Sequence, residues 1–333
     1  MRLLFLIFFL FNSKFYFCQN RIYSKIDSLE TEQQVQNFVR TSIKKDSAFA
    51  KFELRKISDF NTHTVSDLIK KTADSLKINK NFYKGDFDNN GFTDLIIIGD
   101  DGSCSGMKPL ENGEYESYSC DFSVLCILDL GDRFMVKNLQ QNHQDEVIPY
   151  ISKINNRDYI KVFYEESNFD SFGFMNKISS KILSFKFDDF IEYNPNVKHH
   201  DVQRIIFETS GCFGTCPIFK LEISKFGNAK FIAESYNFSE KYSRKPEGTF
   251  ITFLNFISLQ ELFGILDYIS FSDLKNDYAV HWTDDQTSTL TIIYDDGKIK
   301  SIRDYGLVGT YGLKLLYKKL FDLRFNQNWK KMK

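Results

Sequence analysis

Apolar residues along this chain follow two rhythms, and the change between them organises it. Residues 28–45 and 65–76 repeat apolar side chains near a 3.6-residue period, as at Val65, Leu68, Ile69, Ala73 and Leu76, which predicts two amphipathic helices. Thr31 stands where it can cap the first, with Glu32 in the opening turn. From Asn81 onward short β-branched and aromatic runs predict strands at 82–83, 95–98, 122–130, 133–139, 147–153, 159–164 and 181–187. Asn155-Asn156 lies between two of these runs and suits a tight hairpin, because Asn tolerates positive φ.

A second block predicts strands at 202–208, 218–224 and 229–236, a helix at 259–269, and a hairpin of 287–294 with 298–303 around Asp295-Asp296-Gly297. A helix at 311–323 closes it. The polar run Asn194-Pro195-Asn196, continuing to Lys198-His199-His200-Asp201, separates the blocks as a linker. The expected class is α+β: two β-rich domains, 19–195 and 196–333, each an antiparallel sheet with helices packed on one face.

The first eighteen residues belong to neither rhythm. Arg2 precedes an unbroken apolar run at 3–11, interrupted by Asn12, Ser13 and Lys14. Nine apolar residues are too few to span a bilayer, which takes about 20, so this reads as a secretory signal peptide cleaved near Cys18-Gln19. Lipid anchoring at Cys18 is the alternative, although Phe15-Tyr16-Phe17 replaces the small residues that such processing favours. The expected localisation is therefore exported: periplasm, outer surface or medium. No further transmembrane segment is expected.

Composition narrows the function classes. An aromatic content of 16% supplies a sizeable core, which argues against disorder. The net charge of −1 becomes −3 once Arg2 and Lys14 leave, since the first eighteen residues hold no acid. That excludes the basic footprint of a nucleic-acid partner. The terminal Lys330-Lys331-Met332-Lys333 reads as a solvated tail.

The strongest local chemistry is Asp86-Phe87-Asp88-Asn89-Asn90-Gly91-Phe92-Thr93-Asp94. Calcium takes six to eight hard oxygens at roughly 2.3–2.6 Å. Alternate spacing offers Asp86, Asp88 and Asn90, the carbonyl of Phe92 can follow, Asp94 completes the set, and Gly91 permits the turn. The twelfth position is Ile97 and not Glu, so this is no full EF-hand. The stretch 85–95, GDFDNNGFTDL, instead resembles a single calcium loop of the integrin-type FG-GAP repeats. That resemblance implies a calcium-holding loop between strands, while a single copy does not imply a propeller.

Five cysteines follow the signal: Cys104, Cys120, Cys126, Cys212 and Cys216. In an oxidising compartment an odd count implies two bridges and one leftover thiol. Cys126, inside an apolar strand, is the natural free thiol, and a Cys104–Cys120 pair would pin the polar stretch between them. Cys212-Phe213-Gly214-Thr215-Cys216-Pro217 resembles the Cys-Phe-Gly-x-Cys-Pro opening of a bacterial family catalogued as a domain of unknown function. The resemblance extends through the helix near Leu259, Thr283-Asp284 and Arg303-Asp304-Tyr305-Gly306, and implies no activity. Three residues intervene between these cysteines and a strand follows, so the helix-dipole activation of thiol-exchange sites is missing. A structural Cys212–Cys216 bridge is expected, and zinc finds no second Cys or His pair at ligand spacing.

Every motif named so far stabilises backbone. The expected function is accordingly a non-enzymatic binding or structural module, with calcium as cofactor and an extracytoplasmic ligand or protein as partner. The competing class is a hydrolase using His281, Asp284, Asp285 and Asp304, since Asp304 follows a strand where functional side chains emerge. His199-His200-Asp201 reads as solvated linker, and Gly306, Gly309 and Gly312 as a flexible entry to the last helix that could also cradle an anion.

Overall fold

The computed structural model describes residues 23–43, 51–62, 64–100, 106–109, 115–119, 122–142, 145–170, 173–238 and 246–333. The expected signal at 1–18, the alternative anchor Cys18 and the pair Cys104 and Cys120 lie outside the described residues. Among the described residues no helix is long and apolar enough to cross a membrane.

The architecture is α+β, with sheets whose strand pairs are antiparallel in all but one case. The first block distributes its strands over two main sheets where one was expected. In the first sheet Asp94–Asp100 pairs with Phe122–Asp129, which pairs with Phe134–Asn138. Its other edge is shared by Phe82–Gly85 and Glu53–Leu54. A four-stranded meander forms the second, in the order Asp189–Glu192, Gly173–Lys186, Arg157–Asp170, Val147–Ile154. Asn155 and Asn156 both take positive φ, 51° and 62°, at its first hairpin, as their side chains permit. The Arg157–Asp170 and Gly173–Lys186 strands each run 14 residues, well past the apolar cores that marked them.

Strand Asp94–Asp100 is buried along its whole length because both faces are covered. Leu95 and Ile97 join Val35, Phe38 and Val39 of helix α1 (Glu32–Ser42) in one cluster. Ile96 and Ile98 face the opposite way, into the main core with Ile69 and Ala73 of helix α2 (Asp67–Ser75). A continuous apolar run such as Leu95-Ile96-Ile97-Ile98 is what a strand covered on both faces requires. Thr31 caps α1 by accepting from Gln34 N, and Ser66 caps α2 through Ile69 N.

The second block is an eight-stranded sheet covered on one face by helices α3 (Phe256–Tyr268) and α4 (Tyr311–Asn326). One register row crosses six strands as Phe250, Phe231, Leu221, Phe207, Leu290 and Ile302. Phe207 is fully buried and stacks on Tyr317 of α4, with ring centroids 5.5 Å apart. The short strand Asp277–Ala279 pairs in parallel at one edge, and Lys330–Lys331 caps the other.

Residues 193–201 carry no regular structure between the blocks, yet one core cluster runs through both, from Ile57 past Ile148 and Ile191 to Leu323. One tie between them is Glu192, whose two carboxylate oxygens accept from Tyr311 N and Gly312 N, each at 2.9 Å. The anion at the N-terminus of α4 is thus the protein's own side chain, where the unpaired N–H groups and the helix dipole favour negative charge. Tyr311 also donates its hydroxyl to Leu139 O at 2.6 Å. Replacing Glu192 by Ala removes two charge-assisted bonds, and denaturant unfolding is expected to register a loss of about 1–3 kcal/mol.

Candidate metal centre

The loop Asp86 to Thr93 bridges two strands that pair directly, with Gly85 opposite Asp94. Asn89 and Gly91 take positive φ, 62° and 93°, which turns the chain sharply enough to fold the acids inward. Asp86, Asp88 and Asp94 each offer a carboxylate oxygen, and these atoms lie within 4.8 Å of one another. A cation held at roughly 2.6 Å from each of two oxygens spans about 5.2 Å, so one calcium ion reaches all three.

Backbone donors hold the acids in place. Asp86 accepts from Asn90 N and Gly91 N, Asp88 from Asn90 N, and Asp94 from Phe87 N at 2.7 Å and Asp129 N at 2.9 Å. Asn90 turns its amide nitrogen toward the cluster, donating to Asp88 Oδ2 at 2.9 Å and to Asp129 O at 2.8 Å, while its oxygen accepts from Phe92 N. In this arrangement the acids converge and Asn90 braces them.

Burial and mutual repulsion set the electrostatics. Asp94 is sealed from solvent and its carboxyl is pushed up to about 8, by desolvation first and then by the charges of Asp88 and Asp86. Asp88, half-buried, is raised to about 6, again chiefly by desolvation. Two carboxyls raised in this way and crowded against a third acid are what a divalent cation relieves.

Spacing along the loop did not reveal the outer supports. Asp129, at the end of the strand Phe122–Asp129, accepts from Ser24 Oγ at 2.6 Å and from Gly131 N. Asp158 accepts from Asp86 N and pairs with Lys153 at 2.5 Å. Asp129 is brought to the loop by the pairing of its strand with Asp94–Asp100 and Asp158 by the neighbouring four-stranded sheet, and nothing in local spacing marks them.

The hydrolase candidates do not form one constellation of acid, base and nucleophile. Asp304 is fully buried on the sheet and accepts from Val308 N at 3.3 Å, and burial raises its carboxyl to about 6. Asp285 accepts from Trp282 Nε1 and from Gln286 N, and exposed Asp284 accepts from Thr283 Oγ1. His281 lies edge-on to Trp282 and lines a cleft of about 420 Å³ with Asp145, Glu146 and Glu165. Those three acids are engaged by Gln141 N and Asn142 N, by Ser66 N and by Ser66 Oγ respectively.

The linker histidine is more engaged than a solvated linker implies. His200 Nδ1 meets Asp295 Oδ2 at 2.6 Å, its Nε2 meets Ser272 Oγ at 3.1 Å, and the rings of Phe271 and Tyr294 flank it. The His200 contact is the first cause holding Asp295 below the usual carboxylate range. His199, more exposed, pairs with Asp267.

Cys212 and Cys216 are bonded, with Cα atoms 5.7 Å apart, and Cys126 is a buried free thiol. The bridged loop rests on the 281–285 segment through Phe213 N donating to Asp284 O, and leaves the Phe213 ring 88% exposed.

No curated protein and no solved structure matches the chain. The C-terminal block is similar to one catalogued family: a domain of unknown function, DUF6438, matches residues 203–324, from the strand Val202–Thr209 to the last turn of α4.

Proposed function

We propose that the chain is an exported binding or structural module whose first block, residues 19–195, is stapled by calcium at Asp86, Asp88 and Asp94. The second block, 196–333, shares its core and presents the binding surfaces. The observation that carries the cation is the convergence of three carboxylates of which one, Asp94, is fully buried. The Cys212–Cys216 bridge supports export, because disulfides persist in oxidising compartments, and calcium is abundant there as well. Phe92 O and Asn90 complete the oxygen set if the Asn90 amide rotates toward the ion. Melting in saturating calcium against EDTA tests the reading: calcium is expected to raise the transition, and an identical transition in both overturns it.

A second reading, a hydrolase of the C-terminal block, is favoured by Ser272, His200 and Asp295. With His200 donating its Nδ1–H to Asp295, its Nε2 can take the Ser272 hydroxyl proton as that oxygen bonds to an acyl or phosphonyl centre, and the imidazolium then gives that proton to the departing group as its bond breaks. The same bonds fasten the linker to the Asp295 hairpin turn and to the short turn Phe271–Asp273, so reactivity decides. A fluorophosphonate is expected to label Ser272 in the native protein and not in Ser272→Ala. Absence of labelling overturns the hydrolase reading and leaves the calcium reading untouched.

A further inference from the structure

The end of the eight-stranded sheet where the edge strand Lys330–Lys331 pairs with Gly248–Phe253 carries an open cavity of about 660 Å³. Its lining includes Arg324, Lys330 and Lys331 against one acid, Glu247. This excess of positive charge stands out on a chain whose net charge is −1.

Arg324 is the decisive group. It sits in the last turn of α4, only 8% exposed, and no carboxylate lies within ion-pairing distance of it among the described residues. Nε donates to Phe321 O at 2.9 Å and Nη1 to Asn237 Oδ1 at 3.0 Å. Those two bonds use part of a guanidinium that carries five N–H donors. Nη2 has no hydrogen-bond partner among the described residues, and the Arg324 side chain lines the cavity. The rings of Phe219, Phe321 and Phe325, each 4.6–4.9 Å from Cζ, hold the guanidinium in place. Burial also lowers its pKa, to about 10, against a smaller opposing pull from the charge of Asp322. A cation desolvated in this way is stabilised by an anion brought to its open donors.

The rest of the wall is aromatic. Phe250 stacks on Phe231 with centroids 5.8 Å apart, Trp329 packs on Phe231 at 5.4 Å, and Trp329 Nε1 is anchored to Leu323 O at 2.9 Å. Lys330 and Lys331 make no ion pair among the described residues, and Lys331 Nζ lies over the Phe250 ring. Lys330 further lines an adjoining groove of about 680 Å³ with Arg204, Lys230 and the acid Glu222. A packed cation beside two exposed ones, facing apolar walls, suits a ligand with a carboxylate head and an apolar or aromatic body.

We infer that this cavity is a binding site for small aromatic or aliphatic carboxylates, held by Arg324, Lys330 and Lys331 against Phe250 and Trp329. The inference gives the binding reading above a ligand class, and it does not depend on the calcium loop.

Calorimetric titration with phenylacetate, its neutral counterpart phenylacetamide and inorganic phosphate, each in calcium and again in EDTA, tests it. Phenylacetate is expected to bind the native protein in both buffers and to weaken at least tenfold in the double variant Lys330→Ala with Lys331→Ala, and in Arg324→Gln. Phenylacetamide is expected to bind at least tenfold more weakly. Should Arg324→Gln fail to fold, the exposed lysine variant still decides. No heat from phenylacetate, affinity unchanged in the lysine variant, or equal affinity for phenylacetamide or phosphate would each overturn the inference. Loss of the calcium effect on melting with phenylacetate binding retained sinks the metal reading alone.

Discussion

Freed of divalent cations, the protein is expected to lose thermal stability as pH rises from about 4 to about 8.5, and to recover it when calcium is added at the upper end. The sign follows from Asp94 and Asp88, whose carboxyls are raised to about 8 and about 6 in the folded chain. An acid with a raised pKa binds more protons folded than unfolded between its two pKa values. Its neutral form therefore favours the fold at low pH, and that advantage drains away as pH climbs through the window. Above about pH 8 the folded loop carries its full burden of crowded charge. The loss is on the order of 3–5 kcal/mol, after allowing for the partial solvation of Asp88 and the coupling of the two groups. For a chain of this size that is roughly 5–10 °C.

Calcium reverses the slope because it binds the ionised carboxylates. At a free concentration of 100 times the dissociation constant it contributes about 2.7 kcal/mol. The measurement is a grid of melting curves in EDTA and in calcium from pH 4 to 8.5. Parallel curves, with no widening of the calcium effect toward high pH, would show that these acids do not hold the ion.

Phe207→Ala is expected to cost about 3–5 kcal/mol, the range for a fully buried aromatic truncated in a packed core. Phe207 touches Tyr317 and Phe321 of α4 and Phe219 on the neighbouring strand, so its loss leaves a cavity between the sheet and its covering helix. The reach of the damage matters more than its size. The core cluster containing Phe207 also holds Ile148, Ile160 and Ile191 of the first block, and Glu192 caps α4 across the boundary. Denaturant unfolding followed by far-ultraviolet circular dichroism and by Trp282 and Trp329 fluorescence is expected to shift as a single transition. Two separated transitions, with only the Trp-bearing one moved, would instead show that 19–195 and 196–333 unfold independently.

Much of the local structure was legible because short-range chemistry writes it. Thr31 could only serve as a cap where apolar periodicity began, and Asn155-Asn156 could only turn tightly, whereas the Ser66 cap emerged from the structure. The Cys212–Cys216 loop closes within five residues, and the Asp86–Asp94 loop folds on itself through its own backbone donors. Strand ends were misjudged where polar residues continue a ladder, as at Glu165 and Glu166. Main-chain pairing with Ile178 and Lys177 carries the strand on through these polar side chains. Glu53–Leu54 and Asp277–Ala279 went unread because two or three residues show no period.

What the sequence determined by itself is therefore whatever lies within one turn of chain: the α+β class, most helices and hairpins, the acidic loop and the cysteine bridge. What the tertiary structure decided is which distant groups meet. Asp129 braces the acidic loop from 35 residues beyond Asp94, Glu192 supplies the anion for α4, His200 finds Asp295 and Ser272, and Arg324 is buried without a carboxylate at the mouth of an aromatic cavity. The reason is the range of the forces. Turn and cap geometry is fixed by neighbours along the backbone, whereas desolvation and charge depend on every atom that packing brings close, however far apart in the chain.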